Sequence, residues 1–244
     1  MSTHPDNRLL AEALEAHGGL DRWRSFRGLS STIVTGGGLW GIKGVEMPPT
    51  PRIVTTDFHR QWMAVSPFGD PDWTMTWTPQ QVVVEDSAGA VIAEQDNPRD
   101  AFADHGYDTP WDPMHLAYFN GYAMWTYHAS PFVLAGPSYE VSDLPPIEHD
   151  GEMLRGLHVR FPEGVHSHSR EQQYYFDADG LLRRHDYSVD VWANERAAHM
   201  LSDYTEIDGL RFPTRRHVHP RKPDGLLRHD FTTVTIKLSN YTLR

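Results

Sequence analysis

The sequence predicts a mainly β protein with a few helices: an antiparallel half-barrel covered by a central buried helix and an N-terminal helix. Three observations carry this. Short alternating runs rich in β-branched residues recur between Gly, Pro and Asp turns through most of the chain. One segment, 97–137, breaks that rhythm with a long aromatic run. The N-terminus carries an apolar stripe of helical period. A sheet with this many strands curls, and one of its faces has to be covered.

Residues 6–17 read as an amphipathic helix. Asp6 is the candidate cap, Leu9, Leu10, Ala13 and Leu14 form the stripe, and Gly18 and Gly19 end it. Leu20 to Phe26 adds a short second turn. The run GLSSTIVT (28–35) alternates as a strand should, and Gly36, Gly37 and Gly38 interrupt it. No GK[ST] or helix start follows, so these glycines read as a sharp bend rather than a phosphate cradle. LWGIKGVEM continues the strand signal, and PPTP at 48–51 is a rigid connection. RIVTTDFHRQWMAV, DWTMTWTP, QQVVVED and AVIAEQ then give the short strands of an antiparallel meander. NPRDAFADH reads as a short helix. After SDLPPIEHDGE the strands return with six candidates: GLHVRFP, REQQYYFD, LLRRHDYSVDVW, AAHMLSDYTEI, LRFPTRRHVHP and RHDFTTVTIKLSNYTL. DADG at 177–180 and IDG at 207–209 are hairpin turns. With 244 residues, no repeat and no long linker, the chain is expected to be one domain, 1–244. Its parts are a helical segment 6–26, a first strand set 27–96, a helical insertion 97–137 and a second strand set 138–244.

Composition narrows the function. A formal charge of −11, without a Lys/Arg-rich run, argues against nucleic acid as a partner. The absence of Cys removes disulfides, thiol catalysis and zinc–thiolate sites. The start MSTHPDNRLLAEALEAHGG has neither a basic region nor a long apolar core, so a cytoplasmic protein is expected. Fifteen histidines are many for this length and suggest either acid/base or metal chemistry, or simply scattered surface His.

The run QQYYFDADGLLRRHDYSVDVW, followed by DYTEIDGLRFPTRRHVH, resembles the LolA/LolB-like superfamily, lipoprotein carriers with an unclosed β-barrel. The resemblance is clearest over 171–220. It implies an open barrel whose concave face holds a greasy ligand under helical segments. The chain has no Cys for a lipobox, and its start is expected not to be an export signal, a departure from the carriers. That points to a cytosolic relative rather than to lipoprotein transport.

The stretch WDPMHLAYFNGYAMWTYHASPF (111–132) is the key segment. Asp112 is a good N-cap, Pro113 suits the first helical position, and Ser130-Pro131 ends the helix. No Asp, Glu, Lys or Arg occurs from Pro113 to Tyr139, so the helix is buried all round. It is too polar, and too isolated in a chain with nothing else membranous, to be a membrane span. His115 and His128 fall on different faces, which excludes a two-His metal helix of the HExxH type. His115, Tyr118, Phe119, Tyr122 and Thr126 share one side, with Trp125 at its edge. That side either lines a cavity or packs as ordinary core. HSHS (166–169) and HVH (217–219) each place two His on one face if extended, but both look like strand ends, and no metal is assigned. Asp57, His59 and Arg60 sit together without forming a triad. If neighbouring strands align, His185, Tyr187, His199, Arg215 and His217 share a face, either inside the concavity or towards solvent.

The expected function is binding of a hydrophobic or amphipathic small molecule in the half-barrel, without a cofactor. Tyr118, Phe119, Tyr122, Trp125, Tyr187, His199 and Arg215 are the candidate binding residues. The alternative is a cofactor-independent enzyme in which His115, His185 and His217 do general acid/base work: hydrolysis, isomerisation, elimination or cyclisation.

Overall fold

The computed structural model describes residues 7–222 and 224–244. Thirteen strands form one antiparallel sheet. The first set is β1 (Gly28–Gly36), β2 (Arg52–Asp57), β3 (Met63–Ser66), β4 (Thr74–Trp77), β5 (Gln81–Glu85) and β6 (Val91–Asp96). The second set is β7 (Glu140–His149), β8 (Glu152–Arg160), β9 (Glu171–Phe176), β10 (Leu182–Val189), β11 (Glu195–Ile207), β12 (Leu210–Pro220) and β13 (Val234–Leu243). The order is β6-β5-β4-β3-β2-β1-β13-β12-β11-β10-β9-β8-β7, so both sets are meanders, joined where β1 pairs with β13. β6 and β7 remain free edges, and the barrel is unclosed.

Among the described residues four α-helices accompany the sheet: α1 (Arg8–Ala16), α2 (Leu20–Ser25), α3 (Leu39–Ile42) and α4 (Pro113–Ala129). Asn7 caps α1 by accepting from the Leu10 amide at 2.8 Å. The expected cap Asp6 lies outside the described residues. Leu10 and Ala13 are buried with Leu157, Tyr174 and Phe176 at one end of the sheet. Among the described residues, no helix is long and apolar enough to cross a membrane.

Four local readings need correction. The glycine bend is real, since Gly37 sits at φ 110° with no room for a Cβ beside the Thr233 carbonyl. However, the residues after it form α3, not a strand. Leu39 and Trp40 are both buried, and a helical turn can bury two consecutive side chains where an alternating strand would expose one. RIVTTDFHRQWMAV is two strands, β2 and β3, with Asp57 Oδ1 accepting the His59 amide (2.9 Å) in the turn between them. SDLPPIEHDGE, passed over as a connection, supplies most of β7. Pro145 and Pro146 are tolerated there because β7 is an edge and bulges between Leu144 and Ile147. The helix expected in NPRDAFADH is a single 3-10 turn, Asp100–Phe102.

α4 lies inside the curl of the sheet. From Leu116 to Ala129 every residue except Asn120 is buried, so the helix has no solvent face. Asp112 closes a capping box with His115, with Pro113 at the first helical position. One flank packs on β2 to β5 and the other meets β10 to β12. The closest approach is at Gly121, where a Cβ would stand 2.1 Å from Trp77 Cγ. Trp77 is completely buried and has no free space to yield. Gly121→Ala should therefore destabilise the protein by about 2–3 kcal/mol, because overpacking outweighs the roughly 1 kcal/mol gained in helix propensity. Urea unfolding checks this, and a stabilised variant would contradict the packing described.

Candidate functional site

Side chains of α4 and of the concave sheet face enclose a cavity of about 270 Å3. Phe119, Ala123 and Met124 line it from the helix, and Val54, Val218 and Ile236 from the sheet. Its polar lining is of two kinds. Tyr127, His168 and Tyr187 belong to a buried hydrogen-bonded cluster, and Arg52, Glu195, Arg196 and Arg228 bring charge.

The cluster is built from three elements. Tyr187 comes from β10, Tyr127 from the last turns of α4, and His168 from the loop between β8 and β9. The Tyr127 hydroxyl is 2.8 Å from the Tyr187 hydroxyl and 2.8 Å from His168 Nε2. One proton arrangement satisfies all three: Tyr187 donates to Tyr127, and Tyr127 donates to His168 Nε2. His168 Nδ1 is then a donor, and it is buried without a partner. The imidazole of His168 stacks on the Tyr187 ring at 4.0 Å and 1°. Behind this chain, His185 Nε2 meets Gln172 Oε1 at 2.6 Å, and its ring stacks on Tyr174 at 4.1 Å. Gln172 Nε2 in turn donates to the Ser169 carbonyl (2.7 Å) and Ser167 Oγ (2.9 Å), which fixes the loop carrying His168.

Burial dominates the electrostatics. It lowers the His168 and His128 pKa values to about 3 and that of His17 to about 4. His185 and His199 are lowered by the same cause. Burial raises the Tyr127 phenol to about 12, and it raises Tyr187 as well. At neutral pH the cluster is therefore uncharged. The exception is Arg216, buried beneath it, which donates to the Tyr127 carbonyl at 2.9 Å.

The structure distributes the sequence-predicted residues unevenly. His185, Tyr187 and His199 share the concave face, with His185 directly opposite His199 across β10 and β11. Arg215 and His217 point the other way. Arg215 pairs with Asp203 at 2.8 Å on the outer surface, and His217 lies in an outer depression with His149, His219 and His229. The concave residue of that strand is Arg216, opposite Leu201. His115 is engaged at the start of α4, where its Nδ1 lies 2.7 Å from Asp112 Oδ1, and it does not line the cavity. Of the helix residues, Phe119 lines the cavity. Tyr118 accepts from Arg99 (3.1 Å) and meets His166 Nδ1 (2.9 Å). Trp125 donates to the Asp57 carbonyl (2.9 Å), and Tyr122 is buried with its hydroxyl unpartnered. His166 and His168 lie under α4 on the concave side, so they do not converge with His217 and His219. Among the described residues no group of three or more His, Asp or Glu could hold a metal ion. Sequence reasoning does not single out Tyr127, Gln172 or Arg216, and it reads His168 only as a strand-end histidine.

The buried histidines predict acid sensitivity. Their folded pKa values lie below the ordinary 6.5, so the unfolded chain takes up protons first as pH falls. Stability is full above pH 6.5 and is lost downwards towards about pH 3 for His128 and His168. Each such histidine costs about 1.4 kcal/mol per pH unit within its window. Urea titrations between pH 8 and pH 4 should show unfolding coupled to uptake of several protons. His128→Asn should lower that uptake by about one. A flat profile would refute the neutral, buried histidines.

The fold is shared with known structures. The chain superposes on a DUF1329 family protein from Desulfovibrio piger with a TM-score of 0.56 and 13% identity, covering 99% of this chain and 94% of that one. A LolA superfamily protein from Nitrosomonas europaea gives a TM-score of 0.51 at 13% identity, covering 100% and 94%. No protein-family model and no curated protein matches the sequence. The likeness is one of architecture: the chain shares the fold of these two structures.

Proposed function

We propose that this protein binds a hydrophobic or amphipathic small molecule in the cavity between α4 and the concave sheet. The observation that carries the reading is the cavity itself. It has apolar walls on both sides and, at Tyr127, His168 and Tyr187, a compact polar patch. Apolar walls supply burial, and a few placed polar groups orient the ligand. The patch counts against general acid/base catalysis at neutral pH. With His168 near 3 and Tyr127 near 12, neither group exchanges a proton readily there. Both remain good neutral hydrogen-bonding partners.

Ala123→Phe tests this by filling the cavity from the α4 wall. An environment-sensitive apolar dye, followed by fluorescence, should bind the wild type with one-to-one stoichiometry. The variant should bind it at least about tenfold more weakly while still unfolding cooperatively. Equal binding by both proteins, or no uptake by the wild type, would sink the reading.

A further inference from the structure

Arg52 is unlike the other arginines that are wholly or partly buried. Arg184 is held bidentately by Asp186 at 2.7 and 2.8 Å, and Arg99 pairs with Asp190 at 2.8 Å. Arg216 faces the carbonyl end of α4 and the ring of Tyr127. Arg52 makes one hydrogen bond, from Nη2 to Thr35 Oγ1 at 3.0 Å. Its Nε is buried and has no hydrogen-bond partner. The same holds for Arg216 and Arg221, but Arg216 has the helix carbonyl and the ring beside it and Arg221 has Asp186 at 3.5 Å. Among the described residues it forms no ion pair, and burial holds its pKa below the ordinary arginine value with no carboxylate to offset it.

Its position follows from the alternation of β2. Arg52, Val54 and Thr56 project to the concave side, while Ile53 is exposed on the other. Arg52 thus stands in the cavity wall, and it also borders an adjoining recess of about 560 Å3 beside the start of α4. The rest of the cavity's charge does not neutralise it. Arg196 adds positive charge, Arg228 is engaged by Asp230 at 3.2 Å, and Glu195, the one lining carboxylate, forms no ion pair with Arg52. The cavity lining is thus net cationic in a chain whose net charge is −11, while the recess beside it carries Glu46, Asp70 and Asp112, none of which pairs with Arg52 among the described residues.

A half-buried guanidinium with an unsatisfied N–H is costly to keep. Carboxylate and phosphate both match the geometry of its fork, and the carboxylate is the smaller and the less costly to bring beside apolar walls. We propose that the ligand is a medium-chain carboxylate, with its apolar body between α4 and the sheet and its carboxylate on Arg52. This rests on the cavity reading above and specifies its ligand. The volume suits a chain of medium length. At roughly 30 Å3 per packed unit the size of a liquid water, the 270 Å3 cavity holds about nine methylene-sized groups.

Calorimetric titration of decanoate and 1-decanol into wild-type protein, R52Q and R52K tests the proposal. Wild type should bind decanoate about ten- to a hundredfold more tightly than decanol, the range expected of a charge-assisted hydrogen-bonded pair. R52Q should lose that preference while still binding decanol, which reports an intact cavity, and R52K should keep part of it. A wild type that binds decanol as tightly as decanoate overturns the proposal and leaves the cavity reading standing. So does an R52Q that keeps the full preference. A wild type that binds neither overturns both.

Discussion

The inside of this molecule depends on how the C-terminal end of α4 is satisfied. A helix that ends in the core leaves carbonyls without partners, and water cannot supply them there. Arg216 answers this from β12. Its Nη2 donates to the Tyr127 carbonyl at 2.9 Å, and its guanidinium lies 5.0 Å from the centre of the Tyr127 ring. The partial negative charge at the end of the helix and the ring face stand in for a carboxylate. At the other end, Asp112 accepts the Met114 and His115 amides. With both ends fixed, the helix can lie wholly inside a sheet. Tyr127 is then held where Tyr187 and His168 reach it, and the polar patch of the cavity follows from that placement.

The same constraint explains the many histidines of the interior. A curled sheet with a helix inside it brings backbone and hydroxyl groups into contact far from solvent. A neutral imidazole offers one donor and one acceptor on a flat ring that also stacks. His128 does this between Ser31 and Thr56, and His185 between Gln172 and the ring of Tyr174. The excess of histidine that suggests catalysis in the sequence is, over much of this core, a way of filling apolar space while satisfying polar neighbours.

Much of the architecture was legible in the sequence. The strand rhythm, the capped helix and its burial follow from period, turn residues and the missing charges. The site was less legible, for identifiable reasons. Aligned strands would put Arg215 and His217 beside His199, whereas the hairpin fixes the opposite parity. Asp208 and Gly209 both have positive φ and form a two-residue turn that pairs Ile207 with Leu210. Counting back from that turn puts Leu201 opposite Arg216, so the signal for the concave residue lies in IDG itself. Other features had no such signal. The β9–β10 register shifts between Leu182 and Arg184, a bulge that alternation cannot foresee. His168 reaches the cavity from a loop, where side-chain direction has no period. His115 looked like a cavity residue on the helical wheel. Its proximity to Asp112, three residues earlier, draws it into the cap instead.

The pairing of β1 with β13 carries a consequence for synthesis on the ribosome. β1 to β6 form a local meander as they emerge, and α4 follows with one flank ready to pack on β2 to β5. Its other flank needs β10 to β12, and the guanidinium for its end is at position 216, 87 residues beyond Ala129. For that interval of translation, an uncharged aromatic helix stands half covered and its terminal carbonyls lack their cation. Contacts of such sequence separation form slowly, and exposed apolar surface invites association. The nascent chain is therefore most in need of a chaperone between the completion of α4 and the arrival of β12.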